Sequence, residues 1–159
     1  MARIGFHASH EQFPPSELLE RQLVSVVPCR RITSALGPAQ GNSGFAWAWL
    51  GAVLQATDLP FRVISAPGYR YDTAILAQAA ATLCEMFPGR LWLALGSGQR
   101  LNEDLRGLHW PEKTERNARL TECASIIRGL LRGETVPHYG RVTLLDGKLY
   151  SLPEKPPCY

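Results

Sequence analysis

Short apolar segments alternate along this chain with longer amphipathic ones, and this alternation constrains the fold more than any other feature. Phe61 to Ala66 and Leu91 to Leu95 are short and mostly apolar, whereas Thr73 to Phe87 and Lys113 to Leu131 repeat their apolar residues with a helical period. The unbroken apolar run at Leu91 to Leu95 is typical of a strand buried on both faces of a parallel sheet. The pattern therefore predicts an α/β fold built on parallel strands.

Three further elements precede this pattern. Arg3 to Ala8 alternates polar and apolar residues and predicts a short strand, and Glu17 to Glu20 predicts the start of a helix. Phe45 to Thr57 is apolar almost all round, which indicates a buried helix. Trp47 and Trp49 are therefore expected in the core.

The last part of the chain contains a hairpin signal. Asp146 and Gly147 are the residue types that favour a tight type I′ turn. The flanking residues, 142–145 and 148–150, are rich in strand formers. We therefore predict a hairpin whose turn is formed by Asp146 and Gly147.

Composition limits the possible functions. The chain has 159 residues, 45% of them hydrophobic, and a net charge of +3, so charge gives no support for a nucleic-acid or membrane-surface partner. No apolar window is long enough to span a membrane, and the N-terminus does not resemble a secretory signal. The four cysteines form no C-x-x-C pair, so we expect no metal site and reduced thiols in a cytoplasmic protein.

Four segments, in this order and spacing, carry a resemblance to a known family. They are His7 to Phe13, Tyr69 to Tyr71 with the helix start that follows, Met86 to Arg90, and Gly96 to Glu103. Together they resemble the luciferase-like monooxygenase superfamily, and most closely its deazaflavin-dependent glucose-6-phosphate dehydrogenase branch with the flavin-using relatives. The resemblance implies one domain, residues 1–159, that forms a partial TIM (β/α)₈ barrel, roughly its N-terminal half. A full barrel needs roughly 250 residues.

The resemblance also implies catalytic residues. Glu11 matches a carboxylate of the substrate pocket, and His10 beside it is a second candidate; either could instead be a solvated loop residue. Gln99 stands where the family commonly carries a glutamate that donates a proton beside the cofactor. A carboxamide has no titratable proton, so Gln99 departs from the family pattern.

The cofactor-binding residues implied by the resemblance follow two strands. Val63 and Ile64 match the place where the family carries a bulge with a non-prolyl cis peptide behind the flavin ring. The alternative for this pair is plain strand core. The remaining residues match the family's cofactor loop and a residue that lies against the ring system; they are Gly96, Ser97, Gly98 and Asn102.

By resemblance, the activity is that of a flavin-type oxidoreductase. It would transfer a hydride, or insert oxygen, on a small organic substrate with either FMN or the deazaflavin coenzyme F420, and the sequence leaves these two cofactors open. The protein would supply position and electrostatics for chemistry that belongs to the cofactor. The alternative is a catalytically inactive fragment that acts at most as a self-associating barrel half, and a homo-oligomer is therefore expected as a possible partner state.

Residues 22–40 generate the first prediction, because they keep neither a strand period nor a helix period. The family's second strand ends in a Ser-Asp-His type motif that contacts the cofactor ring, and this chain has no such motif. The segment is also several residues too short. We hypothesise a reading-frame error or internal deletion, with the frame restored near Gly41. Resequencing the gene should reveal compensating insertions or deletions here, and a confirmed continuous frame would contradict the hypothesis.

Overall fold

A computed structural model describes residues 6–8, 14–17, 20, 32–34, 45–69, 71–100 and 109–157. Four strands form one parallel sheet in the order β1-β2-β3-β4. They are β1 at Phe6–Ala8, β2 at Ile32–Ser34, β3 at Phe61–Ser65 and β4 at Leu91–Leu95. The predicted parallel arrangement of the first strand, β3 and β4 is confirmed.

Three long helices of the described residues accompany the sheet, and all three were predicted within one residue of their observed ends. They are α1 at Ala46–Ala56, α2 at Thr73–Met86 and α3 at Lys113–Leu131. Asp72 begins α2, because its carboxylate accepts hydrogen bonds from the backbone N–H groups of Ala74 at 2.8 Å and Ile75 at 3.2 Å.

One face of the sheet is buried against the helices. Phe61 and Val63 of β3, with Leu91 and Leu93 of β4, are almost fully buried in one core cluster with residues of all three helices. Alternate residues of a strand point to opposite faces, so the residues between them face away from the helices. Trp47 and Trp49 are buried in the same cluster, as predicted.

Arg90, at the end of the Met86–Arg90 segment, joins the turn after α1 to the start of β3 by hydrogen bonds. Arg90 donates hydrogen bonds from Nε and Nη2 to the carbonyl of Leu59, at 3.2 and 3.1 Å, and a further one from Nη2 to the carbonyl of Thr57. The carbonyl of Arg90 in turn accepts from the N–H of Phe61 at 2.7 Å. Arg90 therefore fixes the turn between α1 and β3 beside the start of β4.

Strand β2 was not predicted. It lies in the stretch of residues 22–40 that keeps neither a strand period nor a helix period. At three residues β2 is too short for an alternation to be visible in the sequence. Its place is set by its neighbours, since Ile32 pairs with both Phe6 and Phe61.

A hairpin exists, but it is not the predicted one: residues 148–150 form no strand, and the strand at Thr143–Gly147 pairs instead with Val136–Tyr139. Strands β5 at Val136–Tyr139 and β6 at Thr143–Gly147 are antiparallel, so the turn is formed by residues 140–142. Asp146 and Gly147 instead end β6, with Asp146 keeping a left-handed φ of 48°.

A carboxylate of α3 determines where this turn forms. Glu122 Oε2 accepts hydrogen bonds from the backbone N–H of Arg141 at 2.8 Å and from His138 Nε2 at 3.1 Å. Arg141 Nη1 donates to Glu122 Oε1 at 2.9 Å, and Arg141 Nε donates to Glu115 at 2.9 Å. The hydrogen bond from the Arg141 side chain, followed by that from His138, lowers the pKa of Glu122 to about 2.

This network generates the second prediction, on the variant Glu122→Gln. Because the pKa of Glu122 is depressed in the folded state, its stabilisation is complete above the ordinary glutamate pKa and is lost as the pH falls towards about 2. At neutral pH the variant should exchange its hairpin amides faster by about threefold, in the range of partly exposed ion pairs. The difference should diminish progressively as the pH falls from 4.5 towards about 2, as measured by hydrogen–deuterium exchange.

Glu134→Gln is the matched control for this prediction. Glu134 pairs with Arg132, two residues away in the sequence, and both side chains are exposed. It should leave hairpin exchange near the wild-type rate, and an equal effect of both variants would contradict the role assigned to Glu122.

Candidate functional site

The carboxyl ends of the parallel strands meet at one edge of the sheet, which is where ligands bind in α/β folds of this kind. In the part of the chain with described side chains, two loops lie at this edge: residues 66–71 after β3 and 96–99 after β4. The N–H of Gly96 donates to the carbonyl of Ser65 at 2.9 Å, so the two loops begin side by side.

The loop after β3 is shaped by a glycine that no other residue could replace without strain. Gly68 has a φ of +90°, and its N–H donates to the carbonyl of Tyr71 at 2.8 Å. A Cβ added to Gly68 would lie 3.0 Å from Arg119 Cδ and 3.1 Å from Cys123 Sγ. The absence of a side chain therefore lets α3 approach this loop closely.

The loop after β4 is open at Gly96 and is held at the next two residues by hydrogen bonds from α3. A Cβ added to Gly96 would meet no atom within 4 Å, and Gly98 has a φ of +78°. Arg116 of α3 donates from Nη1 to the carbonyl oxygens of Ser97 at 3.3 Å and Gly98 at 2.8 Å. A ligand can therefore approach the backbone at Gly96, while the next two peptides are held from α3.

Four side chains, which we call the arginine–aromatic stack, join the two loops. The guanidinium of Arg116 lies 4.8 Å from the ring of Trp110, and that ring lies 5.6 Å from the ring of Tyr69. The guanidinium of Arg119 lies 4.6 Å from Tyr69. Contacts of this kind are attractive because a cation faces the negative ring surface.

The sheet face that points away from the helices offers an apolar surface beside these loops. Ile64, 42% exposed, and half-buried Ala94 are paired neighbours on this face. One layer further from the strand ends, the Arg62 guanidinium lies 5.3 Å from the Trp92 ring.

The predicted bulge at Val63 and Ile64 is wrong. The pairing of β3 with β4 runs without a shift from Phe61 to Ser65, and the described residues contain no cis peptide bond. Full parallel pairing on this side keeps the strand regular. The Val63 side chain is fully buried against the helices, and Ile64 points to the open face. Cofactor contact by this pair stays a prediction.

The other predicted site residues divide into two groups. Gly96, Ser97, Gly98 and exposed Gln99 lie together in the loop after β4. Glu11, His10 and Asn102 lie outside the described residues, so their roles stay predictions. No group of three metal-ligating side chains occurs among the described residues. In the same residues no helix is long and apolar enough to cross a membrane.

Cys123 is a buried residue of α3. Its Sγ accepts a hydrogen bond from the buried Thr73 hydroxyl at 3.2 Å. Burial raises the pKa of the Cys123 thiol, which keeps it protonated and unreactive at neutral pH.

The sequence interpretation missed the arginine–aromatic stack. A weak signal was present, because Trp110 and Pro111 directly precede a helix that carries Arg116 and Arg119 three residues apart. Residues with this spacing share one face of a helix.

A parallel sheet with helices on one face and ligand-accessible glycine loops at its strand ends is the architecture of part of a (β/α)₈ barrel enzyme. A family profile described as luciferase-like monooxygenase matches residues 33–159. The chain belongs to the luciferase-like monooxygenase family.

Two curated relatives are both named F420-dependent glucose-6-phosphate dehydrogenase. The F420-dependent glucose-6-phosphate dehydrogenase of Microbacterium testaceum is 38% identical over 170 aligned residues, which cover 99% of this chain and 50% of the relative. That of Nakamurella multipartita is 40% identical over 168 residues, covering 99% and 49%. The chain thus spans about half the length of the curated relatives it matches.

Solved structures agree with this placement. An F420-dependent secondary alcohol dehydrogenase, solved with an F420–acetone adduct, matches with a TM-score of 0.89 and 33% identity, over 98% of this chain and 50% of that one. An FMN-bound type II Baeyer–Villiger monooxygenase of Pseudomonas putida matches with a TM-score of 0.71 at 13% identity, over 87% and 42%. The second likeness shows the fold alone.

Proposed function

We propose that this chain supplies the cofactor-binding half of an oxidoreductase that transfers a hydride between a deazaflavin or flavin ring and a small organic substrate. The observation that carries the proposal is the open glycine loop at Gly96 to Gly98, which α3 holds beside the exposed apolar surface of Ile64 and Ala94. When bound, the ring carries the hydride.

Coenzyme F420 is the cofactor that we expect first. The two glucose-6-phosphate dehydrogenases and the secondary alcohol dehydrogenase are each more than 30% identical to this chain and are named for F420. The FMN-bound neighbour supports only the fold. The chain's own residues fit either ring, because glycine backbone and an isoleucine side chain do not distinguish the two. Monooxygenation with FMN is therefore the alternative reaction.

The residues divide the work as follows in this proposal. Gly96 admits the ligand to the backbone, and Gly98 allows the left-handed turn. Gln99 lies at the end of the loop, where it can hydrogen-bond but cannot supply a proton. Glu11 and His10 remain the proposed acids or bases, and Asn102 a proposed ring contact.

We also propose that the protein works in the cytoplasm. Among the described residues, Cys84 and Cys123 are buried and form no disulfide, which is the usual state of cysteine in a reducing compartment.

A second candidate function is self-association of a barrel half. Among the described strands β4 has a neighbour only on its β3 side, and unpaired strand edges favour association with another chain. A cavity of about 740 Å³ adjoins this strand. It is lined by Leu93, Ala94, Leu95, Leu120, Thr121, Ala124, Ser125, Arg128 and Arg132.

The third prediction tests the proposed function by titrating the purified chain with F420 and, separately, with FMN. We expect saturable binding of F420, followed by its fluorescence. Gly96→Val should weaken it by about tenfold or more, equivalent to about 1.4 kcal/mol, because the side chain fills the open space.

Gly51→Val is the matched control, since Gly51 in α1 also has no atom within 4 Å of an added Cβ and no left-handed φ. Light scattering on the same samples gives the oligomeric state. Absence of binding by both cofactors, together with a stable dimer, would favour the second candidate function.

The fourth prediction concerns Gln99 in a full-length enzyme that carries these residues. A positioned general acid contributes about 10²–10⁴-fold to a rate, and glutamine cannot act as one. Gln99→Glu should therefore speed turnover at least about tenfold, leave cofactor affinity nearly unchanged and add an ionisation to the pH–rate profile. Stopped-flow cofactor reduction across pH measures this. Superimposable profiles would mean that the acid lies elsewhere, with Glu11 or His10 next.

A further inference from the structure

We propose that Arg116 is the positioning residue of the cofactor loop: it turns the carbonyls of Ser97 and Gly98 towards α3 and so presents the opposite side of their peptides to the ligand. The identity of that ligand rests on the proposed function. The positioning itself rests on contacts within this chain.

Packing against Trp110 fixes the Arg116 side chain independently of its hydrogen bonds to the loop. Its guanidinium lies against Trp110, and its Nε is buried with no hydrogen-bond partner among the described residues. The planar group therefore has its orientation set by packing, and its Nη1 is the atom that contacts the loop carbonyls. A guanidinium fixed in this way loses little freedom when it forms each hydrogen bond.

The two hydrogen bonds determine which atoms the loop offers to a ligand. In a trans peptide the C=O and the N–H of the next residue point in opposite directions. With the carbonyls of Ser97 and Gly98 directed at Arg116, the N–H groups of Gly98 and Gln99 point away from it. They are suited to hydrogen-bond acceptors, such as the carbonyl oxygens of a ring or the oxygens of a phosphate.

Arg119 provides an internal comparison. It lies on the same face of α3 and also packs on an aromatic ring, but its contacts are with Tyr69 and with the Glu115 carboxylate at 3.7 Å, and its Cδ would lie 3.0 Å from a Cβ added to Gly68. Its contacts thus belong to the loop after β3, whereas those of Arg116 belong to the loop after β4. The two arginines should act on separate loops.

The fifth prediction compares Arg116→Met with Arg119→Met in the whole chain, by hydrogen–deuterium exchange without any cofactor. Arg116→Met should speed amide exchange in residues 96–100 by about tenfold or more, read most clearly at Gly96, whose N–H donates to the carbonyl of Ser65, because the loop loses two charge-assisted hydrogen bonds and opens more often. Arg119→Met should act instead on residues 68–71, read at Gly68, whose N–H donates to the carbonyl of Tyr71, and should change exchange in residues 96–100 by at most about twofold. Equal changes in both loops from either variant would overturn the proposal, since they would show only a shared packing role.

Arg116→Lys covers the case in which Arg116→Met fails to fold. Lysine keeps the charge but loses the planar group that stacks and donates to two acceptors. It should give a smaller rise in exchange confined to residues 96–100, and a wild-type exchange rate at Gly96 would overturn the proposal.

Cofactor affinity separates this inference from the proposed function. If wild type binds F420, Arg116→Met should weaken binding about tenfold and Arg119→Met much less; equal weakening by the two would overturn the positioning role. If wild type binds neither F420 nor FMN, the proposed function fails, and the exchange measurement alone decides whether Arg116 positions the loop.

Discussion

The contact between one face of β3 and β4 and the three helices is the interaction on which the rest of the structure depends. Phe61, Val63, Leu91 and Leu93 bury their side chains there, and each contributes about 1.5–3 kcal/mol relative to exposure. A shift of one residue in either strand would exchange its two faces. The same burial therefore decides that Ile64 and its neighbours point to the open face.

Helix α3 connects the core to the candidate site. Towards its C-terminal end, Ile126, Ile127 and Leu130 are buried in the core, which fixes the helix against the sheet. Near its N-terminal end Arg116 reaches the loop after β4, and between them Glu122 holds the hairpin turn. One helix thus sets the position of both the loop after β4 and the hairpin turn, which are far apart in the sequence. Loop geometry at the strand ends is therefore a consequence of core packing.

Local sequence patterns were sufficient to predict the long helices and the buried strand β4. The bounds of α2 followed from its apolar period and from Asp72 as a cap, and β4 followed from five consecutive apolar residues. Strand β2 is too short to carry a pattern, and the hairpin turn is fixed by Glu122, a residue distant in sequence. Contacts of this kind leave no local signal.

The site was predictable to the same degree and for the same reason. The glycine loop after β4 was identified because glycines directly follow a buried strand and match a family motif. The role of Arg116 depends on α3 folding back over that loop, which no spacing in the sequence reveals. The bulge expected at Val63 and Ile64 came from the family resemblance and not from the residues themselves. The structure has regular pairing with β4 at this place.

The open face of the sheet links the two candidate functions. Among the described residues, helices cover one side of the sheet, and the other face carries Ile64, Trp92 and Arg62. In a closed barrel, layers of side chains fill the interior while the ligand occupies the strand ends. The Arg62–Trp92 pair lies one layer below Ile64, so further strands can cover this pair while Ile64 and the loop after β4 remain accessible to a cofactor. Association at the β4 edge and cofactor binding at the strand ends therefore use different parts of the same sheet, and the first does not exclude the second.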